Sequence, residues 1–259
     1  MEQAKNVFQQ IADQIASTPC QPDNTPEDEP VYDCPYCKDR QLYAVESTGP
    51  LPSDFIEILT LCPHCGERKR TERLWKNCGI PDEDKINTIK TFEQKTNVQK
   101  EAYQVIIDVL GEISQVDLVL IYGPPGTGKS HLGTAAVVDW ITRGKVARMI
   151  RCGEWLDELR YSFGDKTDKD FHTQKIKERI YSPDYLVIDE LSCSTEFEWR
   201  TLDEVIGRRY DRHRPTIIIS NKDLPELQDK FSRIVSRSID YLRGRQIVLD
   251  GEDYRARRK

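Results

Sequence analysis

The sequence predicts an α/β fold with a parallel central sheet, preceded by a small cysteine-rich module. Three observations predict it. From about residue 96 onward, short apolar runs alternate with helical stretches, a pattern that builds a mostly parallel sheet with helices on both faces. A glycine-rich segment, 123–130, sits between one such run and one such helix. Two Cys-x-x-Cys pairs stand ahead of this region.

The chain has 259 residues, 32% charged and 37% hydrophobic. That leaves room for one full α/β domain and a small module. No apolar run reaches the ~20 residues of a membrane span, and the N-terminus lacks the basic-then-apolar layout of a secretion signal. The expectation is a cytoplasmic protein with no membrane partner. The net charge of −6 excludes no class of partner. Acids gather at 23–33, bases at 67–76 (Arg68, Lys69, Arg70, Arg73, Lys76) and again in the tail from Arg255 to Lys259. Each cluster alone is most simply a solvated face.

Taken in order, residues 1–17 read as an amphipathic helix with Ala4, Phe8, Ile11 and Ile15 on one face. Residues 18–30 are an acidic, proline-rich linker. Residues 31–78 form a module around Cys34, Cys37, Cys62 and Cys65, with residues 38–61 between the pairs. Two Cys-x-x-Cys turns at that spacing each aim two sulfurs at one metal, the layout of a four-thiolate zinc site. A redox-active pair is the competing reading, and the matched second pair argues against it. Four thiolates complete a tetrahedral site and leave His64 out. The spacer reads as a zinc-ribbon-like hairpin. Cys20, Cys78, Cys152 and Cys193 have no partner spacing and read as small buried or loop residues. Residues 79–95 connect the module to the domain 96–259.

In that domain, strands read at 118–122, 146–150, 185–189, 216–220 and 246–249. Helices read at 98–110, 129–143, 153–163, 170–180, 196–212, 224–230 and 232–242. Segment 123–130 is Gly123-Pro124-Pro125-Gly126-Thr127-Gly128-Lys129-Ser130. It matches G-x-x-x-x-G-K-[ST], in which closely approaching backbone N–H groups cradle a nucleoside triphosphate. Lys129 then reaches the β- and γ-phosphates, and Ser130 holds Mg²⁺. The following helix adds its positive N-terminus. The strand 185–189 ends in Asp189, followed by Glu190. A buried parallel strand delivers such acids to the carboxyl edge of the sheet, beside the phosphate loop. Asp189 there positions Mg²⁺ and Glu190 polarises the attacking water. Asn221, after the next strand, is placed to orient that water.

Segments 123–130, 185–191, 216–221 and 232–240, with the helical stretch 151–160, together resemble the AAA+ family of P-loop NTPases. Within it they resemble the DnaC/DnaI-like helicase loaders and the IstB-like transposition ATPases. The resemblance covers about 92–259. The cysteine module followed by Cys78-Gly79-Ile80-Pro81 and Thr91-Phe92 resembles the front end of phage- and Gram-positive-type loaders. The resemblance implies an ATPase, weak alone and stimulated by DNA or assembly, that uses ATP/ADP, Mg²⁺ and Zn²⁺. Its nucleotide contacts run from Gly123 through His131. Arg255 acts as a second sensor after a minimal lid. Arg237 is the arginine finger reaching a neighbouring subunit, with Arg233 as the rival.

Loaders of this kind self-associate, grip a hexameric DnaB-like replicative helicase through the N-terminal module and place it on single-stranded DNA. Lys166, Lys169 and Lys175 could track the DNA backbone by charge. Two other readings stay open. One is a transposition helper that binds DNA and recruits a transposase. In the other, the zinc module is the DNA-binding part and ATP acts only as an assembly switch. The intact Asp189-Glu190 pair favours hydrolysis over the last.

Overall fold

The computed structural model describes residues 33–40, 42–48, 55–111, 115–162, 169–251 and 253. The expected helix 1–17, the linker 18–30, Lys166 and Arg255 lie outside the described residues. The chain divides into two compact units between His64 and Cys65.

In the first unit, β1 (Leu42–Thr48) and β2 (Phe55–Leu61) form an antiparallel hairpin with Leu42 opposite Leu61 and Thr48 opposite Phe55. This is the hairpin expected of the spacer. Its register brings the chain back beside its own start, so the segment after Cys37 and the segment before Cys62 meet.

The second unit begins with α1 (Gly66–Asn77), two short 3-10 turns (Asp82–Ile86 and Ile89–Thr91) and α2 (Asn97–Leu110). Thr96 caps α2 with a reciprocal bond from Gln99, which satisfies two end donors at once. Then follow β3 (Leu118–Tyr122), α3 (Lys129–Thr142), β4 (Ala147–Arg151), α4 (Cys152–Ser162), α5 (Lys169–Tyr181) and β5 (Tyr185–Asp189). The unit continues with α6 (Glu196–Asp211), β6 (Thr216–Ser220), α7 (Leu224–Lys230), α8 (Ser232–Ser238) and β7 (Gly244–Val248).

The sheet order is β4-β5-β6-β3-β7, with every pair parallel. The central strands β3, β5 and β6 are buried along their whole length, as strands covered on both faces must be. Alternation sorts their side chains. Val119, Ile121, Val187, Ile217 and Ile219 join one core cluster with Leu132, Val137 and Trp140 of α3 and Ala102 and Ile106 of α2. Leu118, Leu120, Leu186, Ile188 and Ile218 join the other with Trp155 and Leu159 of α4 and Leu202, Val205 and Ile206 of α6. The chain leaves β3 towards β4 on one side, while β7 lies on the other. The switch point is therefore at the carboxyl end of β3, where ligands of such sheets bind.

The elements expected from the sequence agree to within one residue at each end, with two exceptions. The helix expected over 232–242 stops at Ser238. The carboxylate of Asp240 accepts the N–H groups of Leu242 (2.9 Å) and Arg243 (3.1 Å), and this side-chain turn outcompetes another helical turn. The last strand runs over Gly244–Val248 rather than 246–249, because it pairs with all of β3, from Leu118↔Gly244 to Tyr122↔Val248. The connector 79–95 is packed: Ile80 and Phe92 are buried in the first core cluster, and the N–H of Met149 on β4 donates to Cys78 O at 2.7 Å. Among the described residues no helix is long and apolar enough to cross a membrane.

Candidate functional site

The loop 123–128 leaves β3 at the switch point with Gly123, Gly126 and Gly128 all at positive φ (137°, 79° and 97°). Two of these glycines also lie close against the stretch that follows β7, Gly123 against its backbone and Gly126 against a side chain. A Cβ on Gly123 would lie 2.0 Å from Leu249 O, and one on Gly126 would lie 1.9 Å from Asp253 Oδ1. The stretch after β7 thus lies against the loop.

Helix α3 starts at Lys129 behind Gly128, and no side chain caps it. Its first-turn N–H groups are the donors that an anion at a helix N-terminus uses. Lys129 is buried, and its ammonium donates to Gly123 O at 2.8 Å and to Pro124 O. The Thr127 hydroxyl donates to Pro124 O at 3.0 Å and braces the loop. Pro125 stands in the same loop.

Asp189 ends β5 and is buried. Its carboxylate accepts hydrogen bonds from the Ser130 hydroxyl and, at 2.9 Å, from the Glu190 N–H. Burial pushes the Asp189 carboxyl above the usual carboxylate range; those two hydrogen bonds and the charge of Arg151 pull the other way. A buried carboxylate beside a hydroxyl is a donor set that suits a hard divalent cation, so Ser130 and Asp189 fit Mg²⁺. Glu190 adopts φ 56°, a left-handed conformation that costs a non-glycine residue about 1–2 kcal/mol. The kink turns the chain out of the strand and leaves Glu190 exposed. Asn221 is exposed just past β6; the pairing of Ser220 with Tyr122 places it across from Gly123. The structure thus gathers Lys129, Ser130, Asp189, Glu190 and Asn221 at one edge of the sheet.

His131 follows Ser130 but faces the connector. Its Nε2 donates to Thr88 O (3.1 Å) and lies 3.3 Å from Thr91 Oγ1, and its ring meets Phe92 edge-on at 5.5 Å. Phe92 also lies so close to the loop that a Cβ on Gly128 would stand 3.2 Å from its ring. Arg233 and Arg237 share Asp203 of α6: Arg233 donates to Oδ2 at 2.7 Å, and Arg237 NH1 lies 3.5 Å from Oδ1. Arg233 has a side chain 76% exposed, against 26% for Arg237, which also packs over the Tyr210 ring at 5.7 Å. Arg233 is the more exposed of the two candidates and makes the shorter bond to Asp203, while Arg237 is the more buried and its NH1 finds no hydrogen-bond partner among the described residues. Lys169 and Lys175 lie on α5.

Two placements were not anticipated. Arg151 ends β4 in register with Asp189, and its charge acts on both Asp189 and Glu190. Its position at a strand's carboxyl end was the available signal. Cys152 and Cys193, which have no motif spacing, meet. Their hydrogen bond and burial push the Cys193 thiol up, while Cys152 Sγ donates to Ser192 O at 3.2 Å.

In the cysteine module the Sγ atoms of Cys34, Cys37, Cys62 and Cys65 are all within 4.8 Å of one another, and all four residues are buried. Cys34 and Cys62 sulfurs are 3.9 Å apart. A tetrahedral site with Zn–S bonds of ~2.3 Å has sulfurs about 3.8 Å apart, so the cluster fits zinc. The Asp39 carboxylate accepts the N–H groups of Asp33 (3.1 Å) and Cys34 (2.9 Å) and shapes the first knuckle. His64 packs its ring on Tyr36 at 4.4 Å and is not among the four ligands.

Sheet order, loop and paired acids define the class: an AAA+ P-loop ATP-binding protein. The solved structure of the DnaC helicase loader superposes with a TM-score of 0.55 at 19% identity, over 66% of this chain and 100% of that one. The profile of the IstB-like ATP binding protein family matches residues 57–259, and the chain belongs to that family. It is 24% identical over 167 residues to the replicative helicase loader DnaC of Escherichia coli K12, covering 64% of this chain. The match spans 66% of that relative, just under two thirds. It is 29% identical over 184 residues to the insertion sequence IS5376 putative ATP-binding protein of Geobacillus stearothermophilus, over 66% of this chain and 69% of that one.

Proposed function

We propose that this protein is a cytoplasmic, ATP-dependent loader that binds a hexameric DnaB-like replicative helicase and places it on single-stranded DNA. The observation behind the reading is the combination of a DnaC-like ATP-binding domain with a four-sulfur module in front of it. The loop N–H groups and Lys129 bind the β- and γ-phosphates, with residues Gly123 through Ser130 forming the cradle and Arg255 acting as a second sensor. Ser130 and Asp189 hold Mg²⁺, which neutralises phosphate charge when bound. Glu190 accepts a proton from the attacking water and Asn221 orients it. Arg237, or the more exposed Arg233, completes the site of a neighbouring copy. Hydrolysis is therefore weak alone and rises on assembly or on DNA. Cys34, Cys37, Cys62 and Cys65 hold Zn²⁺, which supplies the folding energy a module of that size lacks. That module, within about 31–78, is the grip on the helicase, and 96–259 is the motor.

The relationship to an insertion-sequence ATP-binding protein favours a second reading, a helper that binds DNA and recruits a transposase. The test is capture by the purified full chain, with ATP, from a host lysate. Recovery of the replicative helicase, lost when Lys129→Ala weakens nucleotide binding by about 100-fold, supports the loader. Recovery of a transposase instead overturns it.

A further inference from the structure

We infer that Asp253 competes with nucleotide for the phosphate loop: its carboxylate rests on Gly126 and leaves before a phosphate settles there. The inference rests on the reading of 123–130 as the nucleotide cradle. It goes beyond that reading by assigning a residue that limits how tightly the cradle holds its ligand.

The placement of Asp253 is built from the strand end outwards. Tyr122 closes β3, and its carbonyl accepts the Leu249 N–H at 2.9 Å. Leu249 is fully buried in the first core cluster. The chain after β7 is thus pinned beside the residue that opens the loop. Past this stem, Asp250 and Gly251 are exposed. Gly251 adopts φ 126°, and no atom stands within 4 Å of where its Cβ would be. A glycine at that angle in open space lets the chain pivot at little steric cost. Two residues later Asp253 meets the loop. A Cβ on Gly126 would stand 1.9 Å from Asp253 Oδ1, 2.2 Å from its Cγ and 2.8 Å from its Oδ2. The whole carboxyl group therefore lies on that glycine.

Charge decides what this contact does. A glycine-rich loop at a helix N-terminus gathers backbone N–H groups around an anion, and a carboxylate is an anion of single charge. A nucleoside triphosphate brings several charges to the same place, so the two repel at short range. Asp253 is exposed and its carboxyl group ends a flexible side chain, so a nucleotide can displace it. Lys129 also faces inward, donating to the loop's own carbonyls, Gly123 O at 2.8 Å and Pro124 O. Phosphate entry thus exchanges two internal contacts: the ammonium turns from those carbonyls to phosphate, and the acid gives up its place on Gly126. The exchange costs affinity and makes the cost depend on the charge of the ligand.

The test is calorimetric titration of the full chain with ATP and with ADP. Asp253→Asn keeps the size of the side chain and removes its charge. It should bind ATP about tenfold more tightly than wild type, with a smaller gain for ADP. Asp250→Asn, on the exposed stretch before the pivot, should stay within about twofold of wild type. The Asp253→Asn gain should shrink in 1 M salt, where charges are screened beyond ~3 Å. Unchanged affinity in Asp253→Asn overturns the inference. So does weaker binding, which would make the carboxylate a partner of the nucleotide. A gain equal for ATP and ADP and undiminished by salt also overturns it, because charge would then not be the cause. Lys129→Ala separates the two readings. If that variant loses ATP binding while Asp253→Asn gains nothing, the competitor fails and the cradle stands. If wild type and Lys129→Ala bind ATP equally, the cradle itself fails.

Discussion

The two ends of the central sheet are built on opposite terms. At the amino end, polar groups are buried and satisfied. Arg209 is 1% exposed. Its guanidinium donates to Ile180 O (2.9 Å), Pro183 O (2.8 Å), Asp184 O (3.3 Å), Pro215 O (3.1 Å) and the Thr216 hydroxyl (2.9 Å). Beside it, the Asp117 carboxylate accepts from Arg243 at 2.5 Å and from His213 at 3.0 Å. At the carboxyl end, Glu190 sits at positive φ, Asp189 is buried with its carboxyl pushed up, and α3 begins without a side-chain cap. The amino end holds the fold together, while the carboxyl end keeps strain and open donors that a ligand can use.

The largest expected effect tests the amino end. Arg209→Met should destabilise the protein by about 3–5 kcal/mol, because four backbone carbonyls and a hydroxyl lose a charged donor that no water can replace. Urea denaturation of the full chain reads this directly. A cost under ~1 kcal/mol would mean that the end is held by packing alone, and the contrast would fail.

The carboxyl end was legible in the sequence because its chemistry is contiguous: Gly123 to Ser130, then Asp189-Glu190, then Asn221, each closing an apolar run. The four cysteines were legible through their spacing. The amino end was not, because Asp117 and Arg243 are far apart in the chain and meet only when β3 and β7 pair. Arg209 looked like any cation on a polar helix, since its five acceptors are mostly backbone carbonyls and leave no mark on sequence. Cys152 and Cys193 are likewise joined only by the alignment of β4 with β5. The early stop of α8 had a signal in Asp240 and Gly244, whose hydrogen bonds close the turn that ends it.

A smaller effect of opposite sign is expected of Asp189→Asn. Burial raises the Asp189 pKa in the folded state, so the native protein holds this proton more tightly than the unfolded chain does. Its contribution to stability is therefore present at low pH and lost as pH rises from the ordinary carboxylate value of 3.8 through the raised folded value. At pH 7 the full penalty is felt. The Asn variant should melt about 2–4 °C higher at pH 7, lose that part of the acid dependence, and lose Mg²⁺-dependent hydrolysis. An Asn variant less stable than wild type at pH 7 would show that the hydrogen bonds from Ser130 and Glu190, not burial, dominate.

The smallest effect isolates the backbone. Glu190→Gly and Glu190→Ala both remove the carboxylate and should both abolish hydrolysis, but only glycine accepts φ 56° without a Cβ clash. The glycine variant should therefore be more stable than the alanine variant by about 0.5–1 kcal/mol, the relief of strain exceeding glycine's greater freedom in the unfolded chain. Differential scanning calorimetry on the two variants makes the comparison with the side chain absent from both. Equal stabilities would mean that the kink after β5 relaxes when the carboxylate goes. The strain would then belong to the contacts of Glu190 rather than to the path of the chain, and the carboxyl end would hold no more backbone strain than the amino end, where His213 also sits at a positive φ of 52°.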